Sequence, residues 1–464
     1  MDDLIAWRPN RKYRIMSEMH KEQLRVQFGV LAAGLEVPTL IKSFKSMRIP
    51  KELRRILKSM KIKKPTGLQM QGLPAVLLGR DTLLISISRE GKTLIFSLPL
   101  IVASIQEEKK LRFGPGEGPL GLIIVPSREL AQQIHKFLTD TVQSFKSYPK
   151  IKIGLCTGGV DMQNQIEDLA NGVHIIISTP GRLSDMLSKQ KISLKMCKFL
   201  VIDEADRLLD LGFDEEVRSV ISQTSYNLQI ILSSSSIPKR MQDFASNFMQ
   251  NPIYVSANKS ALKKLRIIQV NNWVEDDKKM VMLLEALLRT EPPILVFCEN
   301  KNESDEIETF LTGKRLKCTS LHGGKPQGVR SKAIRDINSR RVDVLIATDM
   351  AAKGLSFKDI QHIVNFDMAK DIESYIQRIC RTSCKATVSN FVNGKVDKGL
   401  LKDMTGFLVE MGEHVPGFLM QFRDSEENLC EICRGGHQKL FCSVFQQDCL
   451  KYELPIKPLK QILN

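Results

Sequence analysis

No run of 18 apolar residues occurs in the 464-residue chain, so no membrane-spanning helix is expected. The first residues, Met1-Asp-Asp-Leu-Ile5, lack the basic flank and apolar core of a secretory signal. Aromatic residues make up only 6% of the chain and form no stripe, so stacking on bases is not the expected contact with a nucleic acid. Acids are also short, 52 against 68 lysines and arginines, which leaves a net charge of +16. That balance favours a polyanionic partner, RNA or DNA. The 10 cysteines are mostly scattered singly, as in a reduced intracellular protein. The exception is a group at Cys430, Cys433, Cys442 and Cys449.

What is present centres on Phe199-Leu-Val-Ile202 running into Asp203-Glu204-Ala205-Asp206. A short apolar run bounded by charge reads as a buried strand of a parallel sheet. In open α/β sheets the ligand lies off the carboxyl ends of the strands, where Asp203 and Glu204 fall. One carboxylate there suits Mg²⁺, and its neighbour suits the orienting of a water. Upstream, the strand from Asp81 leads to Gly91-Lys92-Thr93 and then an apolar helix. Such a turn supplies free backbone N–H groups, a phosphate-reaching lysine and a metal-binding hydroxyl. Together the two stretches indicate a P-loop NTPase.

Length suggests two or three domains. Residues 1–40 are polar and basic, with a helix through Ser17–Leu31, and read as an N-terminal extension. Residues 41–256 alternate strand and helix patterns, with strands at Leu83–Ile87, Gly121–Val125, Ile151–Cys156, Val173–Ser178, Phe199–Ile202 and Gln229–Leu232. A polar, basic linker follows at Asn251–Arg266. Residues 267–422 form a second α/β unit, with strands at Ile294–Cys298, Cys318–Leu321, Val344–Ala347, His362–Asn365 and Ala386–Val392. The fold class is α/β, with two tandem doubly wound parallel sheets. His322, His174, His362 and Cys298 read as packing residues. Residues 428–450 form a small knuckle-like segment: Cys430, Cys433, His437 and Cys442 suit tetrahedral Zn²⁺, with Cys449 spare.

These residues resemble the DEAD-box RNA helicases of superfamily 2 over roughly residues 40–420, with Asp203-Glu-Ala-Asp206 as the naming motif. The resemblance implies RecA-like domains that clamp ATP between them. It implies that Phe44 and Gln69 form the adenine-reading motif, and that Gly91, Lys92, Thr93 and Asp203 hold the nucleotide and Mg²⁺. Arg128, Gly159, Thr179, Gly181 and Arg182 in the first domain, with Thr348 and Gly354 in the second, correspond to RNA-backbone contacts. Lys92, Asp203, Glu204, Arg378 and Arg381 correspond to catalytic groups. The chain is more closely similar to the Abstrakt-type subgroup, which carries a C-terminal zinc knuckle and whose resemblance favours the nucleus.

Several positions depart from the family pattern. The phosphate loop reads Ser86-Ile-Ser-Arg89-Glu90-Gly-Lys-Thr93, so Arg89 replaces a glycine and Glu90 adds an anion. A carboxylate ~5 Å from a phosphate charge would be repelled by roughly 3 kcal/mol at an effective dielectric of about 20. Ser-Ala-Thr becomes Ser234-Ser235-Ser236, the motif aspartate after Gly-Leu becomes Ser356, and the arginine motif carries Gln377 and Cys384. The readings left open are an ATP-dependent RNA helicase, a catalytically impaired RNA-binding clamp, and a DNA-directed ATPase or nucleic-acid sensor. The knuckle spacing is one residue short, with three residues between Cys433 and His437. The purified chain is expected to carry about one equivalent of zinc, released by Cys433→Ser or His437→Ala. Metal analysis of the protein checks this; a preparation that is metal-free and cannot be reconstituted would exclude the site.

Overall fold

The computed structural model describes residues 7–86, 90–224, 227–236, 239–257, 267–352, 355, 357, 359–381 and 386–422. The knuckle ligands Cys430, Cys433, His437 and Cys442, together with Arg89, Gly354, Ser356 and Cys384, lie outside the described residues. The chain divides into two units with the changeover at Asn258 and Lys259.

The first unit is built on an eight-stranded sheet. Its strands are β1 (Val30–Ala33), β2 (Thr82–Ile85), β3 (Gly121–Ile124), β4 (Ile153–Cys156), β5 (Ile175–Ser178), β6 (Phe199–Ile202), β7 (Gln229–Ser234) and β8 (Ile253–Ala257). They lie in the order β1-β8-β2-β7-β6-β3-β5-β4. All neighbours are parallel except β1, which runs antiparallel along β8. Alternate residues feed two cores, as a parallel strand buried on both faces requires. Leu84, Ile123, Ile175, Val201 and Ile231 face one side, while Leu83, Leu122, Ile176, Leu200 and Leu232 face the other.

Residues 7–40 are not an appended extension. Trp7 and Tyr13 are buried in the first core. Trp7 Nε1 donates to the Met47 carbonyl, and Thr39 Oγ1 donates to the Tyr13 carbonyl at 2.7 Å. Helix Glu18–Phe28 starts on the Ser17 cap and ends at Gly29, whose φ of 63° turns the chain into β1. Polar composition hid this segment because only scattered side chains anchor it. The linker expectation is corrected as well: Ile253–Ala257 is β8, a central neighbour of β2.

The second unit is a six-stranded parallel sheet. It comprises β9 (Ile267–Trp273), β10 (Ile294–Cys298), β11 (Cys318–Leu321), β12 (Val344–Thr348), β13 (His362–Asn365) and β14 (Ala386–Val392), ordered β11-β12-β10-β13-β14-β9. Three asparagines in register join its strands. Asn365 Nδ2 donates to Asn390 Oδ1, and Asn390 Nδ2 to Asn271 Oδ1, each at 2.6 Å. Buried amides of this kind must be paired, so the ladder fixes the register of β9 on β14 and of β14 on β13.

His362 is buried between Thr290 Oγ1, 2.6 Å from Nδ1, and Ser389 Oγ, 2.9 Å from Nε2. Loss of hydration pulls its pKa down from 6.5 to about 4. Between those values the unfolded state binds the extra proton, so stability falls as pH drops from 6.5 towards 4. At pH 5 the second unit is expected to lose about 2 kcal/mol relative to pH 7 through this residue. Denaturant unfolding of the parent chain and of His362→Gln at both pH values checks it: the variant should show a smaller acid loss. An equal loss in both would contradict the assignment.

Candidate active site and nucleic-acid interface

The strand order brings the ends of β2, β7 and β6 side by side. Helix Lys92–Lys110 is the next element after β2, with Gly91 at its N-cap and a φ of 71°. A Cβ at Gly91 would lie 2.2 Å from Gln69 Nε2, so glycine is required both by the backbone and by the contact. Lys92 Nζ donates to the carbonyls of Ser86 at 2.7 Å and Ser234 at 2.8 Å, tying the ends of β2 and β7 together. Loss of hydration pulls the Lys92 pKa down, while Asp203, Asp206 and Glu204 push it back up.

Asp203 follows β6 and is buried; desolvation pushes its pKa up, and Lys92 opposes the shift. Glu204 adopts a left-handed backbone, with φ 53° and ψ 48°, at the N-cap of helix Ala205–Asp210. A non-glycine residue held there is a strained position of the kind that collects at functional sites. Its N–H donates to Asp203 Oδ1 at 3.1 Å, and its carboxylate lies 3.6 Å from Arg207. Asp206 is buried and accepts from the Ser235 N–H at 3.2 Å and from the Ser235 hydroxyl. The Ser235 hydroxyl is the contact that motif reading missed. It sits between the two hydroxyl positions that the family pattern marks, so nothing in the pattern pointed to it.

Gln69 lies in helix Gly67–Leu77, which opens with a reciprocal capping box. Its Oε1 accepts from Thr66 N–H at 3.0 Å and its Nε2 donates to the Gly91 carbonyl at 3.0 Å. Thr66 Oγ1 donates to the Glu90 carbonyl at 2.8 Å. The proposed adenine reader is therefore also a brace on the phosphate turn. Phe44 is buried in the adjoining core. Thr93 stands in the first turn after the phosphate loop, at the same sheet edge as Asp203. A carboxylate and a hydroxyl are the hard oxygen donors that Mg²⁺ takes, and a cation beside the buried Asp203 would favour its charged form.

The ends of β3, β5 and β4 carry the phosphate-contact candidates. The Arg128 guanidinium lies over Gly158 and Gly159, and a Cβ at Gly159 would meet its Nη1 at 2.4 Å. Gly159 also needs its φ of 77°. Thr179 is the N-cap of helix Pro180–Ser188, without a side-chain cap bond of its own. Arg182 Nη2 donates to the Val160 carbonyl at 3.0 Å. Its Nη1 is buried without a hydrogen-bond partner among the described residues. No atom lies within 4 Å of a Cβ at Gly181, so the fold itself does not demand glycine there.

In the second unit Arg378 is buried and fully engaged. Its Nε and Nη2 bind both Asp349 oxygens, at 2.7 and 2.6 Å. Its Nη1 donates to Asn365 Oδ1 at 2.9 Å and to the Asp367 carbonyl at 2.6 Å. A guanidinium so paired joins the ends of β12 and β13. Arg381, two residues past the end of helix Ile372–Ile379, is half-buried and donates from Nη1 to the Leu355 carbonyl. Gln377, Arg381 and Asp349 line a cleft of about 20 Å³. Thr348 closes β12 and is buried. His322 donates to Asp305 at 3.0 Å and accepts from Gly324 N–H at 3.3 Å, as a turn-shaping residue does.

The DEAD/DEAH box helicase family model matches residues 66–244, and the helicase conserved C-terminal domain model matches residues 278–385. The DEAD-box ATP-dependent RNA helicase 35 of Arabidopsis thaliana is 40% identical over 458 residues, covering 95% of this chain and 77% of that protein. The chain belongs to the DEAD-box RNA helicases. Likeness extends to the ATP-dependent RNA helicase abstrakt of Drosophila melanogaster, 38% identical over 94% of this chain and 73% of that protein. S. cerevisiae Dbp5 bound to RNA and ADP BeF3 shares the fold with a TM-score of 0.68, at 24% identity, over 81% of this chain and 94% of that one. This helicase therefore takes ATP with Mg²⁺ and RNA, and among the described residues no helix is long and apolar enough to cross a membrane.

Gly91→Ala should weaken nucleotide binding by about tenfold or more, since it strains the turn and displaces Gln69. RNA binding without nucleotide should stay within twofold. Fluorescent-nucleotide titration beside RNA titration checks both; unchanged nucleotide affinity would remove Gly91 from the cradle.

Proposed function

We propose that this helicase couples weak, RNA-stimulated ATP hydrolysis to local strand separation. The observation that carries it is the convergence of Lys92, Asp203, Glu204 and the Asp206–Ser235 pair on three adjacent strand ends. Gly91, Lys92 and Thr93 bind the phosphates, Gln69 and Phe44 the adenine side, and Asp203 with Thr93 would hold Mg²⁺. When bound, that ion neutralises phosphate charge. Glu204 orients the attacking water. Lys92 and Arg381 offset charge that grows on the γ-phosphoryl oxygens. Arg378 positions Asp349 and the end of helix Ile372–Ile379, two residues before Arg381. Arg128, Gly159, Thr179, Gly181, Arg182, Thr348 and Gly354 carry the RNA backbone, through phosphate contacts that favour no sequence. Cys430, Cys433, His437 and Cys442 hold Zn²⁺ in this reading.

The departures make hydrolysis slow in two separable ways. Arg89 and Glu90 crowd the phosphate cradle and act on binding. Cys384 removes positive charge from the transition state and acts on the chemical step. Arg89→Gly with Glu90→Ser should lower the KM for ATP. Cys384→Arg should raise kcat by about tenfold or more, since an arginine finger is worth roughly 10³–10⁵ in rate. Steady-state kinetics with saturating RNA separates the two. If neither reversion raises activity, the non-catalytic clamp is the better reading; if DNA stimulates as well as RNA, the DNA-directed reading is.

A further inference from the structure

Helix Gly67–Leu77 carries two buried glutamines on opposite sides, Gln69 towards the phosphate turn and Gln71 towards residues 7–40. Two residues along a helix are about 200° apart, so one helix links the two surroundings rigidly. Gln71 Oε1 accepts from Arg25 Nε at 3.3 Å, and its Nε2 donates to the Pro38 carbonyl at 2.8 Å. Arg25 is itself buried; its Nη1 bonds Glu22 at 2.9 Å, and its Nη2 is buried without a hydrogen-bond partner among the described residues. The start of the same helix is pressed against the segment. A Cβ at Gly67 would lie 2.5 Å from the Phe28 carbonyl and 2.9 Å from Val30. The opposite side of that first turn grips the Glu90 and Gly91 carbonyls through Thr66 and Gln69.

We propose that Arg25 is a positioning residue for ATP binding. It holds helix Gly67–Leu77 at the distance where Thr66 and Gln69 bind the Glu90 and Gly91 carbonyls. With those carbonyls tied down, the N–H groups of the turn stay available to phosphate. A buried guanidinium held on one side chain of this helix resists any slide of the helix, because sliding would leave more of its charge unpaired. The segment before residue 40 thereby acts on nucleotide affinity without touching nucleotide. Arg25 has no part in the chemical step, so its effect falls on KM and not on kcat. The inference rests on the assignment of the phosphate turn made above.

The test uses the full chain with Trp273→Phe, which leaves Trp7 as the single tryptophan. Its emission reports whether residues 7–40 remain docked. Equilibrium binding of a fluorescent ATP analogue, and RNA-saturated ATPase kinetics, are measured for Arg25→Ala, Gln71→Met, the double variant and Lys92→Ala. The expected result is a five- to tenfold rise in Kd and KM for Arg25→Ala and Gln71→Met, kcat within twofold, and unchanged Trp7 emission. The double variant should be no worse than Arg25→Ala alone, because both remove one interaction. Should Arg25→Ala fail to fold, Gln71→Met carries the same expectation with the volume kept. Unchanged nucleotide affinity in Gln71→Met and in any folded Arg25→Ala overturns the proposal, as does a parallel fall of kcat, affinity and thermal stability. Nucleotide binding that survives Lys92→Ala unchanged would overturn the phosphate-turn assignment instead.

Discussion

The site depends on how one cation and three carboxylates share a sheet edge. Lys92 lies where β2 and β7 end, and its ammonium is held by two backbone carbonyls while Asp203, Glu204 and Asp206 supply the opposing charge. Charges taken from water are costly unless they are paired and hydrogen-bonded. Here the pairing works only if the three strands lie side by side, which the order β2-β7-β6 provides. A substrate that brings phosphate negative charge with its metal ion completes the same balance. Binding then substitutes one set of partners for another, and no buried charge is stranded.

The second unit meets a similar constraint with a different device. Arg378 spends its guanidinium on Asp349, Asn365 and the Asp367 carbonyl, and Asn365 passes the contact to Asn390 and Asn271. Half-satisfied buried networks are costly, so a polar ladder of this kind specifies one register across β13, β14 and β9. Arg381 then starts from a fixed point, just beyond a residue that cannot move without breaking several bonds.

Much of this was legible in the sequence because it is local. The apolar runs at Phe199–Ile202 and Ile294–Cys298 and the Gly91-Lys92-Thr93 turn each announce themselves within a few residues. What escaped was non-local. β1 is four residues long and earns its place only by pairing with β8, more than 200 positions later. Trp7 finds Met47, and Arg25 finds Gln71, across gaps that no periodicity reveals. The Ser235–Asp206 contact spans two strand ends. Arg378 and Arg381 belong to one motif, and nothing in the motif announces that Arg378 binds Asp349, Asn365 and the Asp367 carbonyl.

Phosphate release from ATP by the unaltered full-length chain, measured with and without single-stranded RNA, bears most directly on whether this sheet edge is a working hydrolytic site. A slow basal rate that rises with RNA, saturates with ATP and vanishes in Glu204→Gln while nucleotide still binds is the predicted result. No release at any RNA concentration, or release that persists in Glu204→Gln, would contradict it.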